Sequence, residues 1–310
     1  MIDRMIEINW AEQAGHLRQN ATSEASWNEM VAASLVRPED RLAVDVGCGG
    51  GGMAKALAAA MPAGTVVAID ADADVLEEAR AHTAGAVRCE VVSMDDGPEP
   101  LRTAIGAPAD LIWASASVHH AADQQAAIDA LVSLLAPGGR LALAEGGLPS
   151  RCLPWDLGLG EPGLELRLDL AQDRWFAAMR AALPGSVPMA YGWTDALSRA
   201  GLQEVTTKSV LTEKQVPLSD ADRDQVVESL RHRVERLTPG GAAAQGHGDG
   251  HGHGHGHELP EELALPAADL AIWQRLLDPA DEHYLGRRTD LAALSVRSIH
   301  LGRADRHARS

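Results

Sequence analysis

The sequence predicts an α/β fold: a doubly wound, seven-stranded sheet, mostly parallel with a late antiparallel strand, plus helical cap insertions. Three observations carry that expectation. Short apolar runs alternate with helical patterns from residue 41 to 147, the first run closes in the glycine loop "VDVGCGGGGMA" (44–54), and a late strand pattern, "LAALSVRSIHLGR" (291–303), returns after a long helical stretch.

A chain of 310 residues with 45% hydrophobic content has ample material for a buried core. Its net charge of −17 argues against nucleic acid as a partner, because a phosphate-backbone binder needs a basic face. Small molecules are the expected ligands. The start, "MIDRMIEINWAEQ", is acidic where a signal peptide is apolar, and no window reaches the roughly 18 apolar residues of a membrane span. The expectation is a cytoplasmic protein with no membrane partner. Cys48, Cys89 and Cys152 have unrelated spacings, so reduced thiols are expected rather than a disulfide framework or a cysteine zinc site.

In chain order, residues 24–35 place Trp27, Met30, Val31 and Leu35 at helical spacing, and Pro38 ends the pattern. Strand, helix and strand follow at 41–47, 53–61 and 65–70, the helix stopped by Pro62. The alternation continues with a helix at 74–83, strands at 87–94 and 109–117, a helix at 124–136 ended by "PGG", and a strand at 140–146. Strands apolar throughout and joined by helices mean a parallel sheet with right-handed crossovers. After Gly147 the rhythm breaks; a helix at 164–183 reads as insert material, while 194–201 and 203–211 restore a helix and a strand. Helical patterns at 219–237 and 266–277 read as a cap. The organisation is therefore an N-terminal helical segment (1–40), a binding core (41–147), a substrate-side insert (148–193), core completion (194–211 and 291–303), and a cap (212–290) with a flexible His/Gly-rich loop at 240–258.

Sheets of this kind bind ligands at the carboxyl ends of their strands, and the first strand-to-helix turn is the usual cradle. Glycines there let the backbone approach a ligand, and the helix start offers unpaired N–H groups. The loop is ambiguous by itself. Gly47, Gly49 and Gly52 satisfy a dinucleotide G-x-G-x-x-G, while Asp45, Gly47, Gly49 and Gly51 satisfy D-x-G-x-G-x-G. Asp45 discriminates, since a buried strand holds an apolar residue there unless a cationic or N–H-bearing ligand needs an acceptor. S-adenosylmethionine carries such a group, its α-ammonium. Asp70, closing the second strand, is placed to accept ribose hydroxyls, and Asp95, closing the third, to accept from an adenine amine, although "MDDG" is also a plain turn in which Asp96 competes.

With "LLAPGGRLAL" (134–143) following in order, the chain resembles the class I S-adenosylmethionine-dependent methyltransferases, which have a Rossmann-like sheet. Within them it is similar to the small-molecule branch of ubiquinone and menaquinone biosynthesis. The resemblance covers about 25–147, and the segment 192–205 less closely. It implies that Asp45, Gly47, Gly49 and Gly51 line the methionine end of the cofactor, Asp70 the ribose, and Met94 and Asp95 the adenine, with Ser115 at the cofactor edge of the fourth strand. It implies methyl transfer to O, N or C of a small, aromatic or polycyclic metabolite. Homodimers are common in the group. Ser115–Val118 stand where amino-methylating nucleic-acid enzymes carry an Asn/Asp-Pro-Pro-aromatic tetrad, which disfavours nucleic acid again.

His119 and His120 lie just past the fourth strand, where the fold opens toward the transferred methyl, and an imidazole with a pKa near 6.5 suits a general base. Asp123 reads as the cap of the next helix. Trp155 and Trp193, in or beside the insert, are candidates to line an apolar acceptor pocket; core packing is the plainer role, and it suits Trp175 better. The tract 246–258 offers His247, His251, His253, His255 and His257, mostly separated by single glycines. Such tracts bind nickel, copper or zinc weakly without a fixed geometry, and an expanded disordered loop is the plainer reading. Two alternatives stay open: a methyltransferase fold turned to cyclisation or metal handling, and a nicotinamide dehydrogenase.

Overall fold

The structure, a computed structural model, describes residues 10–239 and 259–306. Its sheet has seven strands in the order β3-β2-β1-β4-β5-β7-β6. They are β1 (Leu42–Val46), β2 (Thr65–Asp70), β3 (Arg88–Val91), β4 (Ala109–Ser115), β5 (Leu135–Arg151), β6 (Gln203–Glu213) and β7 (Leu294–Arg303). The first five pair in parallel, and β7 runs antiparallel between β5 and β6. The strand order reverses between β1 and β4, where Asp45 lies opposite Trp113. That crevice is where this architecture binds ligands.

Side-chain alternation sorts the strands onto two apolar layers. Val44, Val46, Val67, Ile69, Ile112 and Ala114 join one core with α5 (Pro98–Ile105), α6 (Gln124–Ser133) and α8 (Trp193–Arg199). Ala43, Val66, Ala68, Leu111 and Trp113 join the other with α2 (Ala25–Leu35), α3 (Gly52–Ala60) and α4 (Ala73–Thr83). α1 (Trp10–Ser23) precedes them and packs on α4. Burial on both faces is why these strands read as unbroken apolar runs.

Several boundaries differ from the sequence expectation. The third strand ends at Val91 rather than residue 94, because Ser93 and Asp96 close a capping box on a single 3-10 turn, Met94–Asp96. The helix expected over 124–136 stops at Ser133, and β5 begins at Leu135, which pairs with Ala109 across a register shift; the "APGG" stretch therefore belongs to the strand. Helix α5 has no counterpart in the sequence reading. Its eight residues are too few to establish a period, and Pro98 at its start reads as a breaker.

The chain divides into two compact units. Among the described residues, the first holds 10–146, 184–210 and 297–306; the second holds 147–183, 211–239 and 259–296. The second is built on α7 (Leu164–Ala182), α9 (Asp220–Arg236) and α10 (Ala267–Leu277). Arg167 forks onto Asp269 at 2.8 and 2.9 Å, and Trp273 is fully buried. Among the described residues, no helix is long and apolar enough to cross a membrane.

Candidate active site

The glycine loop turns sharply because three of its residues adopt left-handed backbone: Gly47, Gly49 and Gly51, at φ +64°, +51° and +77°. At Gly47 space is short as well, since a Cβ there would stand 2.5 Å from Ser117 Cβ. The loop is tied to β2, with the Cys48 amide donating to the Ile69 carbonyl at 3.0 Å and the Gly49 amide to Asp70 Oδ2 at 3.1 Å.

Asp45 is 3% exposed, yet its Oδ2 reaches no hydrogen-bond partner. Burial pushes its pKa up to about 7, opposed by the Ala54 amide and reinforced by the nearby Asp70 charge. Asp70 is also raised by burial, against the amides of Asp72 and Gly49. Its oxygens accept from those two amides, which leaves lone pairs for ligand hydroxyls. A buried carboxyl oxygen without a partner, beside a turn whose closest point admits only glycine, is an acceptor suited to an ammonium-bearing ligand.

Met94 is half-buried against the first core, and Asp95 is exposed with Oδ1 accepting from the Ala122 amide at 3.1 Å. Asp96, its competitor in sequence, is taken up by the Ser93 amide at 3.0 Å. Asp123 caps α6 through the Ala126 amide. Ser115 ends β4 half-buried opposite Ala144, and the closer contact with the loop comes from Ser117, whose hydroxyl donates to the Val46 carbonyl at 3.2 Å.

His119 and His120 occupy the 3-10 turn Val118–His120, their ring centroids 4.1 Å apart. His119 Nδ1 lies 2.7 Å from Glu145 Oε2, and the other Glu145 oxygen accepts from the amides of Ser117 and Val118 at 3.0 and 2.8 Å. The sequence reading missed Glu145 and Ser117. Glu145 carried the same signal as Asp45, an acid at the carboxyl end of an apolar strand, in "RLALAEG".

Trp193 belongs to the first unit, half-buried against its core. Trp155 belongs to the second and is 68% exposed. Tyr191 is held within the first unit by its hydroxyl on Gln125 Oε1 at 3.0 Å. His247, His251, His253, His255 and His257 lie outside the described residues. Among the described residues, no three His, Cys, Asp or Glu side chains form a metal-binding group.

Residues 44–141 match the model of a methyltransferase domain family. That segment is similar to methyltransferase domains. Over 142 residues it is 34% identical to a trans-aconitate 2-methyltransferase of Methylobacterium radiotolerans, covering 41% of this chain and 51% of that one. It is 30% identical over 145 residues to an uncharacterised 37.1 kDa protein of transposon Tn4556 from Streptomyces fradiae, covering 46% and 41%. The chain thus spans about half the length of these curated relatives. Among solved structures, the YcgJ protein of Bacillus subtilis aligns at TM-score 0.47 and 15% identity over 90% of this chain and 97% of that one, too loose a likeness to bear on function. The matched segment begins on β1 and ends within β5, so it contains Asp45, the glycine loop, Asp70 and the histidine turn, with Glu145 just beyond its end.

Proposed function

We propose that the protein transfers methyl from S-adenosylmethionine to O, N or C of a small-molecule acceptor. The orphaned Asp45 Oδ2 carries this reading. A buried acceptor left unpaired costs about 1–3 kcal/mol, and a ligand ammonium would satisfy it. Asp70 accepts the ribose hydroxyls, Gly47, Gly49 and Gly51 admit the methionine end, and Met94 and Asp95 flank the adenine. When bound, the cofactor supplies a methyl group activated on a sulfonium. The chain's own work is then to exclude water and align a nucleophile.

For the acceptor we retain an aromatic or polycyclic metabolite, with Trp193 of the first unit as a candidate contact. The trans-aconitate methyltransferases among the relatives add a small organic acid to the probes worth trying. The net charge of −17 continues to argue against nucleic acid.

Calorimetric titration with S-adenosylhomocysteine, run beside NADH and repeated on Asp70→Ala, tests the cofactor. Binding of the sulfur ligand alone, weakened in the variant, is the expected result. A preference for NADH would move the glycine loop to the dehydrogenase reading.

A further inference from the structure

The chain has a net charge of −17, yet arginines gather in the first unit at the amino end of its sheet, away from the crevice proposed for the cofactor. Strand direction puts them there. Arg140 pairs with Leu111 early in β4, and β7 runs antiparallel, so Arg303 ends β7 where β5 begins, with the Ala304 amide on the Gly139 carbonyl at 2.8 Å. Arg37 follows α2 and reaches the same place, where burial and then the charges of Arg140 and Arg303 lower its pKa. Arg306 completes the group. A Cβ built on Gly138 would stand 3.1 Å from Arg306 Cγ and 3.5 Å from Arg303 Nη2, so the glycine leaves both side chains room. The guanidiniums are unequally partnered. Arg140 pairs with Asp40 and donates to the Leu35 carbonyl, and the same Asp40 oxygen also accepts from the Arg37 amide. Arg303 is 17% exposed at the side chain and its buried Nε has no hydrogen-bond partner; the carboxylate beside it, Glu204, stands 3.5 Å from Nη1 and is itself 71% exposed. Among the described residues, no carboxylate lies within 4 Å of the Arg37 or Arg306 guanidinium. Like charges held together repel, and a buried N–H without an acceptor costs its desolvation. An anion would relieve both.

We propose that Arg37, Arg303 and Arg306, backed by the paired Arg140, form a binding site for a tetrahedral oxyanion: inorganic phosphate or the phosphate group of a small metabolite. Number and charge select that class. A phosphate monoester carries about −1.5 to −2 at neutral pH and presents three oxygens to share among guanidiniums, whereas a carboxylate presents one charge and two oxygens. Arginine forks suit such an anion better than point charges do. The site is separate from the cofactor's. Arg37 precedes the amino end of β1, while Asp45 and the glycine loop stand at its carboxyl end, so the two ligands do not compete. A bound phosphate joins the link between α2 and β1 to the end of β7 and the turn after it. Binding therefore stabilises the fold.

Inorganic phosphate is the probe, used on the full chain. In thermal unfolding at neutral pH and constant ionic strength, replacing chloride with phosphate should raise the midpoint saturably, and replacing it with acetate should not. Calorimetric titration with phosphate should give a Kd that Arg37→Gln and Arg303→Gln each weaken by about 10–100-fold, the value of a hydrogen bond to a charged group. Arg306→Gln, at an exposed turn, should weaken it too, and it keeps the test decisive if a deeper variant does not fold; cooperative unfolding in chloride shows which variants do. Saturating S-adenosylhomocysteine should leave the phosphate Kd unchanged. Glycerol phosphate run beside phosphate separates the two sources, the tighter binder being the ligand type the site takes. Four results would each overturn the proposal: no saturable effect of phosphate, an equal effect of acetate, an unchanged Kd in the folded variants, or displacement of phosphate by S-adenosylhomocysteine, which would put the anion at the glycine loop instead.

Discussion

Asp45 holds its proton up to a pH of about 7 in the fold, against about 4 in an unfolded chain. Between those values the folded state binds a proton that the unfolded chain has released. Its stabilising contribution is therefore complete below about pH 4 and lost as pH rises through about 7, and Asp70 shifts in the same direction. Asp45→Asn should accordingly be more stable than the wild type at pH 8 in urea unfolding, with a flatter pH dependence, and should bind S-adenosylhomocysteine poorly. A cationic ligand reverses the shift. Binding at pH 6 should release protons, visible in calorimetry as a heat that follows the buffer's ionisation enthalpy. Gly47 offers a second residue-level test against Gly85, which is also left-handed, at φ +79°, but has nothing within 4 Å of a built Cβ. Backbone strain is common to Gly47→Ala and Gly85→Ala, so the greater loss of stability expected at Gly47 reports the clash with Ser117.

At the level of elements, β5 is anchored to the end of α2 by a buried ion pair. Arg140 and Asp40 are each 4% exposed at the side chain, and Arg140 also donates to the Leu35 carbonyl. Asp40 accepts as well from the Arg37 amide at 2.7 Å, which shapes the link from α2 to β1. Removing one partner strands a buried charge. Asp40→Ala should cost about 3–5 kcal/mol in chemical denaturation. Replacing both partners with apolar residues of similar size should recover much of that loss. Neither residue carries a sequence signal, since their partnership spans a hundred positions and depends on how β5 returns beside β4.

For the whole molecule, ligand binding and stability are linked. A ligand at 100 times its Kd adds about 2.7 kcal/mol to the folded state. S-adenosylhomocysteine at that excess should raise the unfolding midpoint of the wild type, and the same concentration should shift Asp70→Ala far less. An equal shift in both would remove Asp70 from the cofactor site. The first unit contains every residue proposed for the cofactor site, and the second contains Trp155. Substitution at Trp155 should therefore leave the ligand-induced shift intact.

The alternating core and the acids at the strand ends were legible in the chain because both follow from local rules. A strand buried on both faces must be apolar, so Asp45 and Asp70 stand out, and a turn with left-handed backbone needs glycine, so the loop does too. The shortened β3, the early start of β5 and the whole of α5 were not legible. Each is decided by a capping box, a pairing partner or a packing surface that local periodicity does not encode. The Glu145–His119 pairing was hidden for the same reason. Twenty-six positions separate the two side chains, and only the parallel alignment of β4 and β5 brings their ends within hydrogen-bond reach.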